Sequence, residues 1–259
     1  MPTASLQQAI GILLLVGSAL LVAKLCHDGL WRRYRVFFLY FAFRIPNSVW
    51  PLVVSTASPV YFWLWLITSP ICLVFYVLVV VESYRLILEK YHGLETMGRW
   101  AMYAATGVSV FISVLALLPH ITPAMPQSSR VLGYEFALER GVDFSLVVFI
   151  LLMLVFLGRF PIPLSRNVIV HAAIFSLYFL SAELGVLLHV LWGMKLSAEV
   201  SLFLSGASLI CVGGWLWLLN PAGETAPARL PVFGSGDEQR ILLQLETVNT
   251  ALLRASRKI

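Results

Sequence analysis

The sequence predicts an all-α integral membrane protein: a polytopic bundle of about seven transmembrane helices, N-terminus outside and C-terminus inside, followed by a short C-terminal amphipathic helix. Three observations carry this. First, 59% of the 259 residues are hydrophobic and only 12% are charged, with a mean hydropathy of +0.87. Soluble domains carry roughly 25% charged residues, and halving that leaves too little polar surface to coat a globule in water. Second, seven apolar stretches approach the roughly 20 residues that a helix needs to cross the hydrocarbon core. Third, the basic residues gather on one side of those stretches.

The stretches run over 6–25, 34–54, 60–81, 100–118, 142–160, 168–191 and 200–219. They lack the alternation of a barrel strand. Backbone groups in lipid must be satisfied within the segment, so each is read as a helix. Met1 to Gln8 carry no basic side chain, whereas Lys24, Arg32, Arg33 and Arg35 follow the first stretch. A secretory signal has the reverse order, so this is a retained helix with its start outside.

Alternating from there puts fourteen of the 18 basic residues inside: those four, Arg85, Lys90, Arg99, Arg159, Arg166, Arg229, Arg240, Arg254, Arg257 and Lys258. Arg130, Arg140 and Lys195 fall outside, and Arg44 lies within a helix. The bias supports N-out, C-in. The tryptophans agree. Trp31, Trp100, Trp215 and Trp217 fall at inner ends, and Trp50, Trp63, Trp65 and Trp192 near outer ends, where an amphipathic indole is favoured.

Between helices 3 and 4, Glu82–Arg99 reads as a continuation of helix 3 that ends near Gly93. The outer loop 119–141 opens with Pro119, Pro123 and Pro126 and turns helical around 134–140. Pro161 and Pro163 force a turn before helix 6, with Ser165 as its cap. The bundle occupies 1–219. Residues 220–236, rich in Pro, Gly and Ala, read as a flexible linker. The tail helix, 237–259, has capping-box spacing at Ser235 and Glu238. Ile241, Leu245, Val248, Leu252 and Ala255 form one apolar stripe, with acids at the start and bases at the end to suit the helix dipole. This stripe either docks on protein, including a second copy, or lies on the inner leaflet.

Arg44 is the sharpest candidate site, about 13 Å along helix 2. A central arginine costs at least about 2.5–3.5 kcal/mol to insert, so it should face the bundle and find a partner. Pro46 frees a carbonyl nearby, and Asn47 and Ser48 add polarity. Glu183, about 24 Å along helix 6, is the natural partner by charge, with Asp143 and Glu139 as alternatives. Arg44 is either part of a ligand cavity or a structural arginine; both readings stay open.

Other features read as structural. His171, Tyr178 and His189 share a face of helix 6, but the histidines stand about 27 Å apart and cannot share a metal. Ser205, Gly206, Ser208, Gly213 and Gly214 read as close packing in helix 7. That helix has no lysine for a retinal Schiff base. Cys26, Cys72 and Cys211 have no disulfide or metal spacing. Glu82 with Arg85, and Asn220-Pro221, echo G-protein-coupled receptor motifs without completing them. No catalytic or nucleic-acid motif occurs, and no metal or cofactor is expected.

The stretch Phe-Pro-Ile-Pro-Leu-Ser-Arg-Asn-Val-Ile-Val-His (160–171), Tyr178-Phe179-Leu180-Ser181, and Gln-Leu-Glu-Thr-Val-Asn-Thr-Ala-Leu-Leu-Arg (244–254) resemble a group of small bacterial seven-helix proteins. The resemblance implies a bacterial inner-membrane location and brings no activity, cofactor or site. Two functional classes follow from the residues: a sensory or interaction protein working through its tail, or a small-molecule channel, transporter or intramembrane enzyme with a polar cavity around Arg44.

Overall fold

The computed structural model describes residues 2–55, 58–89, 91–117, 127–159, 164–192, 197–225, 227–228, 243, 246, 247 and 249–251. Within them the chain is helical apart from one pairing of two-residue strands.

α1 (Pro2–His27) is followed by Gly29, whose φ of 70° is the left-handed conformation that glycine takes without strain. A 3₁₀ turn, Leu30–Arg32, leads into α2 (Arg35–Val53). α2 has no side-chain cap of its own. Glu82 of α3 (Pro59–Ile87) reaches across instead, and its carboxylate accepts from the Val36 and Phe37 N–H groups at 2.8 and 2.9 Å. This places a negative charge on orphan donors at the positive end of the helix. α3 itself starts on Ser58, whose hydroxyl accepts from the Val60 N–H at 3.2 Å.

α3 does not continue to Gly93. It ends at Ile87, and α4 (His92–Leu117) begins five residues later. The break has a packing cause. Leu88, Tyr91 and Leu94 bury with Met153, Val168 and Ala172, and the Tyr91 N–H closes a turn on the Leu88 carbonyl at 2.7 Å. α5 (Gln127–Arg159) starts well before residue 142, so part of the expected outer loop is helix.

β1 (Leu164–Ser165) precedes α6 (Arg166–Trp192), and Ser165 caps that helix by accepting from the Val168 N–H at 3.4 Å. After α7 (Ser197–Leu218) come one helical turn, α8 (Ala222–Thr225), and β2 (Pro227–Ala228), which pairs antiparallel with β1. The stretch read as a linker therefore begins with an ordered segment laid against the start of α6.

α1 packs between α2 and α7, α6 packs against α7, α5 and α3, and α4 lies along α5. The core is aromatic: Phe37 meets Phe41, Phe175 and Trp215 with centroids 5.0, 5.6 and 5.0 Å away. Trp215 is thus a core residue and not an interfacial indole, because α7 is clasped between α1 and α6. Trp217, two residues on, is 85% exposed.

Among the described residues, three helices are long and apolar enough to cross a membrane: Leu6–His27, Pro59–Ile87 and Ala198–Leu218. Each leaves large apolar side chains uncovered, such as Leu20, Ile67 and Ile210 at 56%, 58% and 68% exposure. Water would penalise that surface and lipid would not.

Polar contacts join the connections at one end of the bundle. Lys24 donates to the Leu216 carbonyl at 2.5 Å, tying the ends of α1 and α7. Arg33 pairs with both Glu89 and Glu224, each at 2.9 Å. Asn167 donates to the Asn220 carbonyl at 2.7 Å. The α1–α2, α3–α4 and α5–α6 connections and the segment after α7 therefore share one end.

Candidate functional site

Four helices converge around Arg44. α2 presents Tyr40, Arg44 and Asn47 on one face, since residues three and four apart are neighbours on a helix. α3 presents Cys72 and Tyr76 at the same spacing. α6 contributes Tyr178 and α7 contributes Cys211. The Arg44 Nη1 donates to the Tyr40 hydroxyl at 2.7 Å, and the guanidinium lies 5.9 and 6.0 Å from the Tyr40 and Phe41 ring centroids. Tyr76 and Tyr178 share a hydroxyl–hydroxyl bond of 2.9 Å, and the Tyr40 and Tyr76 rings are 5.5 Å apart. The Arg44 charge acts on Tyr76, Tyr178, Cys72 and Cys211. A half-buried cation is thus dressed by phenol hydroxyls and aromatic faces, which lower the cost of holding it in an apolar bundle.

The expected cavity residues take different places. Asn47 donates to the Cys72 sulfur at 3.5 Å and accepts from the Trp50 indole at 2.8 Å. Ser48 bonds back to the Arg44 carbonyl at 2.8 Å, within its own helix. Asp143 is half-buried in α5, one turn beyond Glu139, whose charge reaches Cys72 together with that of Arg44. The Glu183 side chain lies outside the described residues. Tyr40 and Tyr76 were the missed members, and Tyr178 was read with His171 and His189 and not with Arg44. Tyr40, one turn before Arg44, and Tyr76, alone in an apolar stretch, were the signals available.

His171 is not part of this centre. It is 1% exposed and enclosed by aromatic rings: Phe37, Phe175 and Tyr34, with centroids at 4.6, 4.8 and 5.0 Å. Among the helix 7 glycines, Gly214 packs tightly, where a Cβ would come 3.1 Å from Ile174. Gly206 and Gly213 face open space instead.

A second polar cluster sits at the shared end. Glu224 accepts from the Tyr34 hydroxyl at 2.7 Å and the Asn167 amide at 2.8 Å, besides its pair with Arg33. Asn167 is fully buried here, and a Cβ on Gly223 would strike its Oδ1. Asn220 Oδ1 accepts from the Gly223 N–H at 2.7 Å. Glu82 is accounted for as the cap of α2, Arg85 as the partner of Glu95 at 3.6 Å, and Asn220-Pro221 as a turn.

The tail also reaches this end. Thr247 and Thr250 bond back to the Leu243 and Glu246 carbonyls, as in a helix, and the Asn249 side chain accepts from the Gly93 N–H at 2.8 Å. Ile241, Leu245, Val248, Leu252 and Ala255, with the cap at Ser235 and Glu238, lie outside the described residues. Among the described residues no three His, Cys, Asp or Glu side chains converge as a metal would require.

No family model matches the chain, and no curated protein or solved structure matches it.

Proposed function

We propose that this chain is a seven-helix protein of the bacterial inner membrane, N-terminus periplasmic and C-terminus cytoplasmic, working as a sensory or interaction protein. Its centre is the Arg44–tyrosine cluster, and its output is the tail helix on the α3–α4 connection. The fourteen-to-three bias of basic residues supports the orientation.

The observation that carries the reading is the course of α3. Tyr76 on α3 belongs to the cluster. Eight residues and about 12 Å further along the same helix, Tyr84 donates to the Leu94 carbonyl at 2.9 Å. Leu94 is next to Gly93, which holds Asn249. One rigid element thus runs from the cluster around the half-buried cation to the seat of the tail. A small movement of α3 is felt at both places, because packed elements shift as units. The alternative, a channel, transporter or intramembrane enzyme, has less support, since Asn47 and Ser48 already spend their polar groups within the protein.

The test is a thermal melt of the purified protein and of Arg44→Gln against a panel of lipids, metabolites and extract fractions. A compound that raises the wild-type melting temperature and not that of the variant places a ligand at the centre. If no compound moves either protein and the variant only melts lower, Arg44 is structural and the sensory reading of the cluster fails.

A further inference from the structure

After Leu219, which is fully buried, the chain reads Asn-Pro-Ala-Gly-Glu-Thr-Ala-Pro-Ala over 220–228. That stretch has no large apolar side chain to anchor it in the core. Polar contacts hold it instead. The Glu224 carboxylate accepts from the Tyr34 hydroxyl at 2.7 Å, the Asn167 amide at 2.8 Å and the Arg33 Nε at 2.9 Å. Asn167 also donates to the Asn220 carbonyl at 2.7 Å, and β2 adds its two-residue pairing with β1. A unit fastened by a few polar contacts, without apolar burial, is the kind that opens while the rest of a protein stays folded.

Directly inside this segment, closure has a cost. One turn into α6 from Asn167 is His171, and one turn back along α7 from Leu219 is Trp215. They are 1% and 2% exposed, with ring centroids 6.3 Å apart. Among the described residues, neither His171 ring nitrogen makes a hydrogen bond, and Trp215 Nε1 makes none. A buried donor or acceptor without a bond is a standing penalty that access of water removes. Tyr34 links the two features: its hydroxyl is on Glu224 and its ring centroid lies 5.0 Å from that of His171. The polar grip favours closure, and the unsatisfied imidazole and indole favour opening.

We infer that residues 220–228 form a releasable strap: Glu224 is its bolt, Tyr34 is the ring it pins over His171, and opening admits water to His171 and Trp215 without unfolding the bundle. The strap also begins the stretch of chain that leads to the tail. Its release adds nine residues of tether, up to about 30 Å when extended, and so lets the tail leave Gly93. The closed strap is then the state that keeps the tail at the α3–α4 connection. This consequence rests on the reading of the tail as the output, whereas the opening itself does not.

The test is the rate at which diethyl pyrocarbonate modifies His171 in the full-length protein in proteoliposomes, read by peptide mass spectrometry. His27 and His92, whose side chains are 89% and 70% exposed, report on the reagent. Glu224→Gln should raise the His171 rate about tenfold or more, because it weakens several hydrogen bonds at once. Glu89→Gln, which removes only the exposed second partner of Arg33, should leave the rate unchanged. Asn167→Cys with Gly223→Cys works in the other direction, since a Cβ on Gly223 would lie 2.8 Å from Asn167 Cγ, within disulfide reach. Oxidised, the pair should hold His171 below the wild-type rate, and reduction should take it above. The strap is overturned if the rate ignores both Glu224→Gln and the disulfide, or if it rises only in step with alkylation of the buried Cys211, as global unfolding would make it. Amide exchange over 243–251 separates the two readings. If His171 responds and those amides do not, the strap stands and the tail as output falls; if His171 does not respond, the strap alone falls.

Discussion

At the scale of the residue, Arg44 was legible because a charge within an apolar stretch is expensive and has to be accommodated. Its company was not. Sequence reasoning looks for a carboxylate, but three tyrosines do much of the work, and a tyrosine among apolar residues reads as core or interface. Trp215 misled for the same reason: an indole near a helix end looks interfacial until its neighbours are known. Arg44→Lys should destabilise almost as much as Arg44→Gln, about 1.5–3 kcal/mol in chemical unfolding. A compact ammonium does not reach the Tyr40 hydroxyl and the ring faces together. Tyr76→Phe and Tyr178→Phe should each cost about 1 kcal/mol, and the double variant less than their sum, because the two hydroxyls satisfy each other. Strict additivity would mean that this bond contributes nothing.

At the scale of the element, a start signal held where it is local: Ser165 caps α6 as its residue type and position allow, while the cap of α3 on Ser58 is a finding of the structure. The α3–α4 break was not legible, since it is made by burial of Leu88, Tyr91 and Leu94 against α5 and α6, contacts distant in sequence. The cap of α2 is likewise tertiary, because Glu82 lies 45 residues beyond Phe37. Glu82→Ala should cost about 1–3 kcal/mol by leaving two helix N–H groups without their acceptor, and Glu82→Gln distinctly less. Equal losses for the two would mean that the charge is what matters. The α4–α5 crossing gives a paired expectation. Gly141→Leu should lower the melting temperature, by overpacking worth about 1–3 kcal/mol. Gly107→Leu, where a Cβ meets nothing within 4 Å, should leave it unchanged.

At the scale of the whole molecule, composition sufficed for an all-helical membrane protein, because lipid leaves few alternatives. The joining of α1–α2, α3–α4, α5–α6 and the segment after α7 at one end agrees with the alternation read from charge. Sidedness remains a proposal with a direct check at Cys26, which is exposed near that end. A membrane-impermeant maleimide should label Cys26 only after cells are lysed, and labelling of intact cells would reverse the orientation. The tail's apolar stripe was visible in the sequence, but the contact of Asn249 with the Gly93 N–H was not, since no periodicity says which surface a helix meets.

The coupling of the Arg44 centre to the tail through α3 is most directly tested by hydrogen–deuterium exchange of the 243–251 amides in proteoliposomes. Arg44→Gln should speed that exchange, as Asn249→Ala should by removing the Gly93 contact, while Gly107→Leu should leave it at the wild-type rate. If Asn249→Ala frees the tail and Arg44→Gln leaves its protection unchanged, the two ends of α3 are independent and the sensory account is wrong.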